Sequence, residues 1–259
     1  MGFFSFEKSP YAENKLIGRA NMNNSSNVVI VGKITKPLEI KEVSTTNGNK
    51  KVGNMTVCTL KNVKQSDGNV AEVPTFYEVS TWSAAQQENL SKLKNGETVL
   101  VQGQLEAKKY ERNSDSGVVL TIANADVHAL GSQNTSVQSI VAVGRVTQDV
   151  EIEETKSGHK VARIPLALNH GNEKTSYVDV EVWDKYAESI SAAIGKGSLL
   201  TVKGELDLNT YQKNDGGKGA KLRIVNAEIG FMDKFVKAGK AATSEQAAGN
   251  GKTTGNVGR

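Results

Sequence analysis

Aromatic side chains make up only 5 % of this 259-residue chain, so the places where they fall carry information. Three recur at matched positions in two halves of the sequence: Phe76 with Tyr177, Trp82 with Trp183, and Tyr110 with Tyr211. Both tryptophans of the protein belong to this set. On an extended strand alternate side chains share a face, which groups Phe76, Glu78, Ser80 and Trp82, and likewise Tyr177, Asp179, Glu181 and Trp183. That face is polar between its rings, while the other face of the second strand reads Val178, Val180, Val182. One reading places the rings in a core, where aromatics dominate. The polar residues between them favour the other: valines inward, rings outward, where exposed apolar surface marks a binding site. A ring in solvent can stack on an unpaired nucleobase, a contact of about 1–3 kcal/mol that accepts any base.

Cations surround two of these rings. Lys108, Lys109 and Arg112 flank Tyr110, and Lys213 and Lys218 flank Tyr211. Rings that hold bases and cations that hold phosphates are the two components of a single-strand groove. Lys33 and Arg145 occupy one matched place near the start of each half. Arg163 and Arg223 stand in the second half where the first has Asn54 and Thr121. All four are expected to contact phosphate, so the first half is expected to grip the backbone less strongly.

Catalysis finds no comparable support. His128, His159 and His170 lack metal-ligand spacing, Glu153-Glu154 reads as a solvated turn, and neither a G-x-x-x-x-G-K loop nor a nucleophile elbow occurs. The chain is expected not to be an enzyme and to need no cofactor or metal. Its one cysteine, Cys58, allows no intrachain disulfide and reads as a small strand side chain. No stretch reaches the run of about 20 apolar residues that crosses a bilayer, and the start lacks a basic leader, so the reading is a soluble, cytoplasmic protein. Net charge does not announce a polyanion partner: twelve basic residues face eleven acidic ones over 27–131, and thirteen face fourteen over 137–235. Any positive groove must come from sorting charges between faces.

Behind the matched rings lies a repeat. Val31-Gly32-Lys33-Ile34-Thr35 returns as Val143-Gly144-Arg145-Val146-Thr147, 112 positions later. Phe76–Trp82 returns as Tyr177–Trp183, and Val101-Gln102-Gly103-Gln104-Leu105 as Val202-Lys203-Gly204-Glu205-Leu206, both 101 positions later. Asn124-Ala125-Asp126-Val127 returns as Asn226-Ala227-Glu228-Ile229. The first copy therefore carries about eleven extra residues between its first and third strands, expected in the turn at Asn47-Gly48 and the loop through Ser66-Asp67-Gly68. Each copy reads as five strands, with a short helix between the third and fourth (84–94 and 185–194). Asn95-Gly96 and Lys196-Gly197 are expected to cap these helices. This order predicts an all-β protein of two tandem OB-fold, five-stranded Greek-key barrels. Its expected parts are a flexible arm over 1–26, a first barrel over 27–131, a linker over 132–138, a second barrel over 139–235 and a disordered tail over 236–259.

The strings VGRVTQDVEIEETKSGHKVARIPLAL, YVDVEVWDKYAESI and GKGSLLTVKGELDLNTY resemble the bacterial-type single-stranded DNA-binding protein family. The likeness is specific over 139–230 and looser over 27–131, where Trp82-Ser83-Ala84-Ala85-Gln86 replaces the aromatic-x-K-x-A-E pattern. It implies single-stranded DNA as the partner, bound without sequence preference during replication, recombination or repair. It places base stacking on Tyr177, Trp183 and Tyr211, and by repeat on Phe76, Trp82 and Tyr110. A further family stacking position falls near Asn172, with only His170 close by. Four OB domains per particle are implied, hence a homodimer of this two-domain chain. The family's acidic docking tip has no counterpart in the basic ending Gly249–Arg259, which suits a phage, plasmid or divergent system. Single-stranded RNA, or a protein partner in a replication complex, are the alternative ligands of the same barrels.

Overall fold

The computed structural model describes residues 26–64, 67–171 and 174–231. The expected tail, the arm up to residue 25 and Asn172 lie outside them. The first repeat comprises β1 (Ser26–Thr45), β2 (Gly48–Lys64), β3 (Val70–Thr81), α1 (Ala84–Leu90), β4 (Thr98–Arg112) and β5 (Asp115–Gly131). The second comprises β6 (Val137–Val146), β7 (Ile152–Glu154), β8 (Lys160–Asn169), β9 (Thr175–Trp183), α2 (Asp184–Ala193), β10 (Leu199–Gln212) and β11 (Lys218–Phe231). β6 and β7 together stand where the first repeat has its single long β1. In each repeat the first strand pairs with the second and fourth, and the third pairs in parallel with the fifth, which closes the ring in OB order. The core is the inward face of those strands, with Ile30, Val57, Val101, Leu105 and Ile122 in one barrel and Ile140, Ile164, Val180, Val202 and Ile224 in the other.

The two barrels are joined by a seam that the sequence did not announce. β1 and β6 pair antiparallel from Ser26↔Ala142 to Val31↔Val137, making one eleven-stranded sheet. Val28 pairs with Ile140, its own counterpart at the 112-residue offset, so a pseudo-twofold axis passes through that buried pair. Tyr77, fully buried in the first barrel, reaches across with its hydroxyl donating to Gln138 Oε1 at 2.7 Å.

The repeated glycines acquire separate reasons. Gly103 and Gly204 each face a bulge on the fifth strand, where Asn124 and Asn226 adopt φ near +51°. A Cβ on either glycine would sit 2.7–2.8 Å from a fifth-strand carbonyl. Gly96 and Gly197 do not cap the helices as expected: α1 ends at Leu90 and α2 at Ala193. They turn the chain into the fourth strand with positive φ, and their amides donate to the first-strand carbonyls of Ile34 and Val146 at 2.8 and 2.7 Å.

Most of the extra residues of the first copy are strand, not loop. Gly53↔Thr81 and Ala162↔Val182 are equivalent pairs, so three of the eleven residues lie in the β1–β2 hairpin and eight in the β2–β3 hairpin. The shorter β8–β9 ladder ends at Asn169↔Thr175, whose counterpart is Leu60↔Pro74. Beyond that, the first copy continues for four more pairs, to Lys64↔Val70. A hairpin can absorb residues in pairs without changing which side chains face the core, because the strand period is two.

Candidate nucleic-acid interface

The valine face of β9 is sealed in the core, and the ring face is turned to solvent. All six matched rings, Phe76, Trp82, Tyr110, Tyr177, Trp183 and Tyr211, are between 40 % and 55 % exposed. Phe76 and Tyr177 stand on the third strands, opposite Cys58 and Ala167. Trp82 and Trp183 stand where those strands hand over to the helices; Ser83 caps α1, and Trp183 itself is the capping residue of α2. Tyr110 and Tyr211 lie on long arms formed by the fourth and fifth strands, and each ring covers a glycine on the opposite strand, Gly117 or Gly219. A Cβ on those glycines would come within 2.4–2.5 Å of the ring. One face of each tyrosine is thus occupied by its own hairpin, which fixes the ring flat and leaves the other face for a ligand.

The cations divide into two groups. Lys33, Lys108, Lys109 and Arg112 are exposed, and Arg145 is exposed with one guanidinium nitrogen donating to Gly197 O at 3.0 Å. Lys213 reaches the other arm, donating to Ser114 O at 2.9 Å. Arg163 and Arg223 are engaged elsewhere. Arg223 donates to Glu181 Oε1 at 2.9 Å and to Asp207 Oδ2 at 2.5 Å, and Arg163 donates to Glu181 Oε1 at 3.1 Å and to Glu153. Lys61 of the first repeat completes the chain on Asp207 Oδ1 at 2.6 Å. Three cations meet three carboxylates, so the network carries no net charge to offer a phosphate. Glu181, on the outward face between two exposed rings, is 4 % exposed because its arginines cover it. Burial pulls the Asp207 carboxyl up, but the hydrogen bonds and charges of Lys61 and Arg223 outweigh it and hold it below its usual value. Reading single strands could not find this network, since its members come from six of them: β2, β7, β8, β9, β10 and β11.

Grooves form where one repeat meets the arm of the other. Tyr177 lines a cleft together with Lys108 and Lys109 of the first repeat. His170 serves the contact between repeats: Gln104 Nε2 lies 3.1 Å from its Nδ1 and Ser176 Oγ 2.8 Å from its Nε2. Burial lowers its pKa. Cys58 is partly buried, and burial raises its thiol pKa. Among the described residues no group of His, Cys, Asp and Glu is arranged to hold a metal ion, and no helix is long and apolar enough to cross a membrane.

Two closed OB barrels that share a seam and expose matched rings define a tandem OB-fold binding protein. The model of the Single-strand binding protein family matches twice, over residues 25–130 and 137–232. The chain belongs to that family, a family of binding proteins rather than enzymes. It is 32 % identical to a single-stranded DNA-binding protein of Listeria innocua over 111 residues, 40 % of this chain and 69 % of the relative. It is 31 % identical over 99 residues to one from Staphylococcus aureus, covering 36 % of this chain and 64 % of that protein. The fold is similar to the crystal structure of the single-stranded DNA binding protein of Thermus aquaticus, with a TM-score of 0.56, 21 % identity and coverage of 82 % of this chain and 95 % of that one.

Proposed function

We propose that the protein binds single-stranded DNA without sequence preference, stacking bases on Phe76, Trp82, Tyr110, Tyr177, Trp183 and Tyr211. The observation that carries this reading is the outward placement of all six rings at repeat-matched positions. Phosphates are neutralised by the exposed cations Lys33, Lys108, Lys109, Arg112 and Arg145 and by the half-buried Lys213, while Arg163 and Arg223 shape the face by holding Glu181 and Asp207. The working particle is a homodimer with four OB domains, acting in the cytoplasm in replication, recombination or repair. Sedimentation of the free protein tests the dimer.

Titrating the protein with oligothymidylate while following tryptophan emission tests the central claim. Direct stacking on Trp82 and Trp183 quenches the emission strongly, and Trp82→Ala or Trp183→Ala weakens binding by about 1–3 kcal/mol. Emission untouched at saturating DNA would reject stacking on the indoles. Competition of poly-dT against poly-U separates DNA from RNA preference.

A further inference from the structure

We infer that Tyr110 and Tyr211 form a single base-binding cleft shared by the two repeats, where one run of unpaired nucleotides crosses from barrel to barrel. The inference rests on the single-stranded DNA reading above. Both rings line the same cleft, of about 610 Å³, although they belong to different repeats and lie 101 positions apart in the chain. Leu208 and Val118 supply apolar lining, and Lys218 stands in the same wall.

The cleft is held by direct contacts between the two arms. Lys213 Nζ donates to Ser114 O at 2.9 Å, and the Lys218 amide donates to Asp115 Oδ1 at 2.7 Å. Gly217 packs so closely that a Cβ there would meet Ser114 O at 2.2 Å. Two arms fixed to one another cannot present their rings as independent sites. Because Gly117 and Gly219 each take one face of a tyrosine, the rings are already oriented when a ligand arrives. The chemistry of the lining fits a nucleobase: flat aromatic faces and aliphatic side chains, with the cation of Lys218 in the same wall for a phosphate. Asp115, the carboxylate in this wall, is engaged by the Lys218 amide.

The test is a double-mutant cycle on the full chain, with a fluorescent oligothymidylate of about 15 nucleotides read by anisotropy. Tyr110→Ala and Tyr211→Ala are each expected to weaken binding about tenfold. In a shared cleft the double variant falls only slightly below either single one, whereas independent sites give the product, about a hundredfold. Tyr110→Leu and Tyr211→Leu keep the glycines covered and are expected to repeat the pattern with an unchanged melting temperature. A single 5-iododeoxyuridine in the oligonucleotide is expected to photocrosslink to peptides carrying either tyrosine. Additive losses, unchanged affinity in all variants, or crosslinks confined to one arm would overturn the shared cleft. Quenching of Trp82 and Trp183 by the same DNA is expected to persist in these variants; its absence in the unmodified protein would instead sink the DNA reading itself.

Discussion

The two repeats keep the same rings, bulges and arm glycines, yet they are built on different electrostatic principles. Between its rings the second repeat carries a continuous chain of paired charges, Glu153–Arg163–Glu181–Arg223–Asp207, tied to the first repeat through Lys61. The first repeat has neutral groups at three of the matched places, Ser80 for Glu181, Asn54 for Arg163 and Thr121 for Arg223, and keeps the carboxylate at Glu106 for Asp207, where Lys174 of the second repeat pairs with it. It differs inside as well, with a tyrosine at 77 where the second repeat packs Val178. Conservation of shape alongside divergence of charge teaches that what the repeat retains is the stacking platform. The surroundings of each platform were free to change.

The contrast can be attacked first in the core. Tyr77→Val makes the first barrel resemble the second without the surrounding repacking, leaving a cavity and an unpartnered Gln138. A loss of about 4 kcal/mol in denaturant unfolding is expected. Tyr77→Phe keeps the ring and loses only the hydrogen bond, about 1 kcal/mol.

Next comes the chain of ion pairs itself. Glu181→Ala strips two arginines of their shared carboxylate. The expected cost is about 3 kcal/mol, at the low end for a broken buried pair because both guanidinium groups retain contact with water. Ser80→Ala in the other repeat is expected to cost well under 1 kcal/mol. Equal effects would erase the distinction.

Acid sharpens the same comparison. The folded Asp207 carboxyl titrates below its ordinary value of 3.8, so its contribution is complete above that pH. It shrinks as the pH falls between the unfolded and folded values, and it is gone below the lower one. Thermal melts from neutral pH down to about pH 3 are expected to fall less steeply for Asp207→Asn than for the unmodified protein.

The smallest expected effect concerns salt. Lys108→Ala and Lys109→Ala should each lower the slope of log affinity against log salt by about 0.7, the single-strand value per phosphate contact. Arg163→Met and Arg223→Met should leave it unchanged, since those charges are already matched. A reduced slope for the arginine variants would return them to phosphate binding.

Alternation made the fold and the platform legible. Val178, Val180 and Val182 against Tyr177, Asp179, Glu181 and Trp183 is a period-two pattern, and its two faces separate as that pattern requires. Partnership across strands was not legible. Arg163 and Arg223 read as free cations because their carboxylates arrive from other strands, and nothing in a strand's own letters reveals its neighbour. The residues added to the β2–β3 hairpin read as loop because Ser66-Asp67-Gly68 signals a turn; where the ladder ends is a matter of pairing. Nothing in the letters around Gly117 and Gly219 shows that they are the beds of two tyrosines.

The seam between β1 and β6 bears on how the molecule comes apart. A lone first repeat would leave the backbone groups of Ser26–Val31 without their Ala142–Val137 partners, a bare ribbon able to hybridise with another copy of itself. Linking the repeats in one polypeptide satisfies that hunger internally and at high effective concentration. Cleavage within 132–136 would therefore not free two barrels: the fragments should stay married through six backbone rungs, and melt as one body.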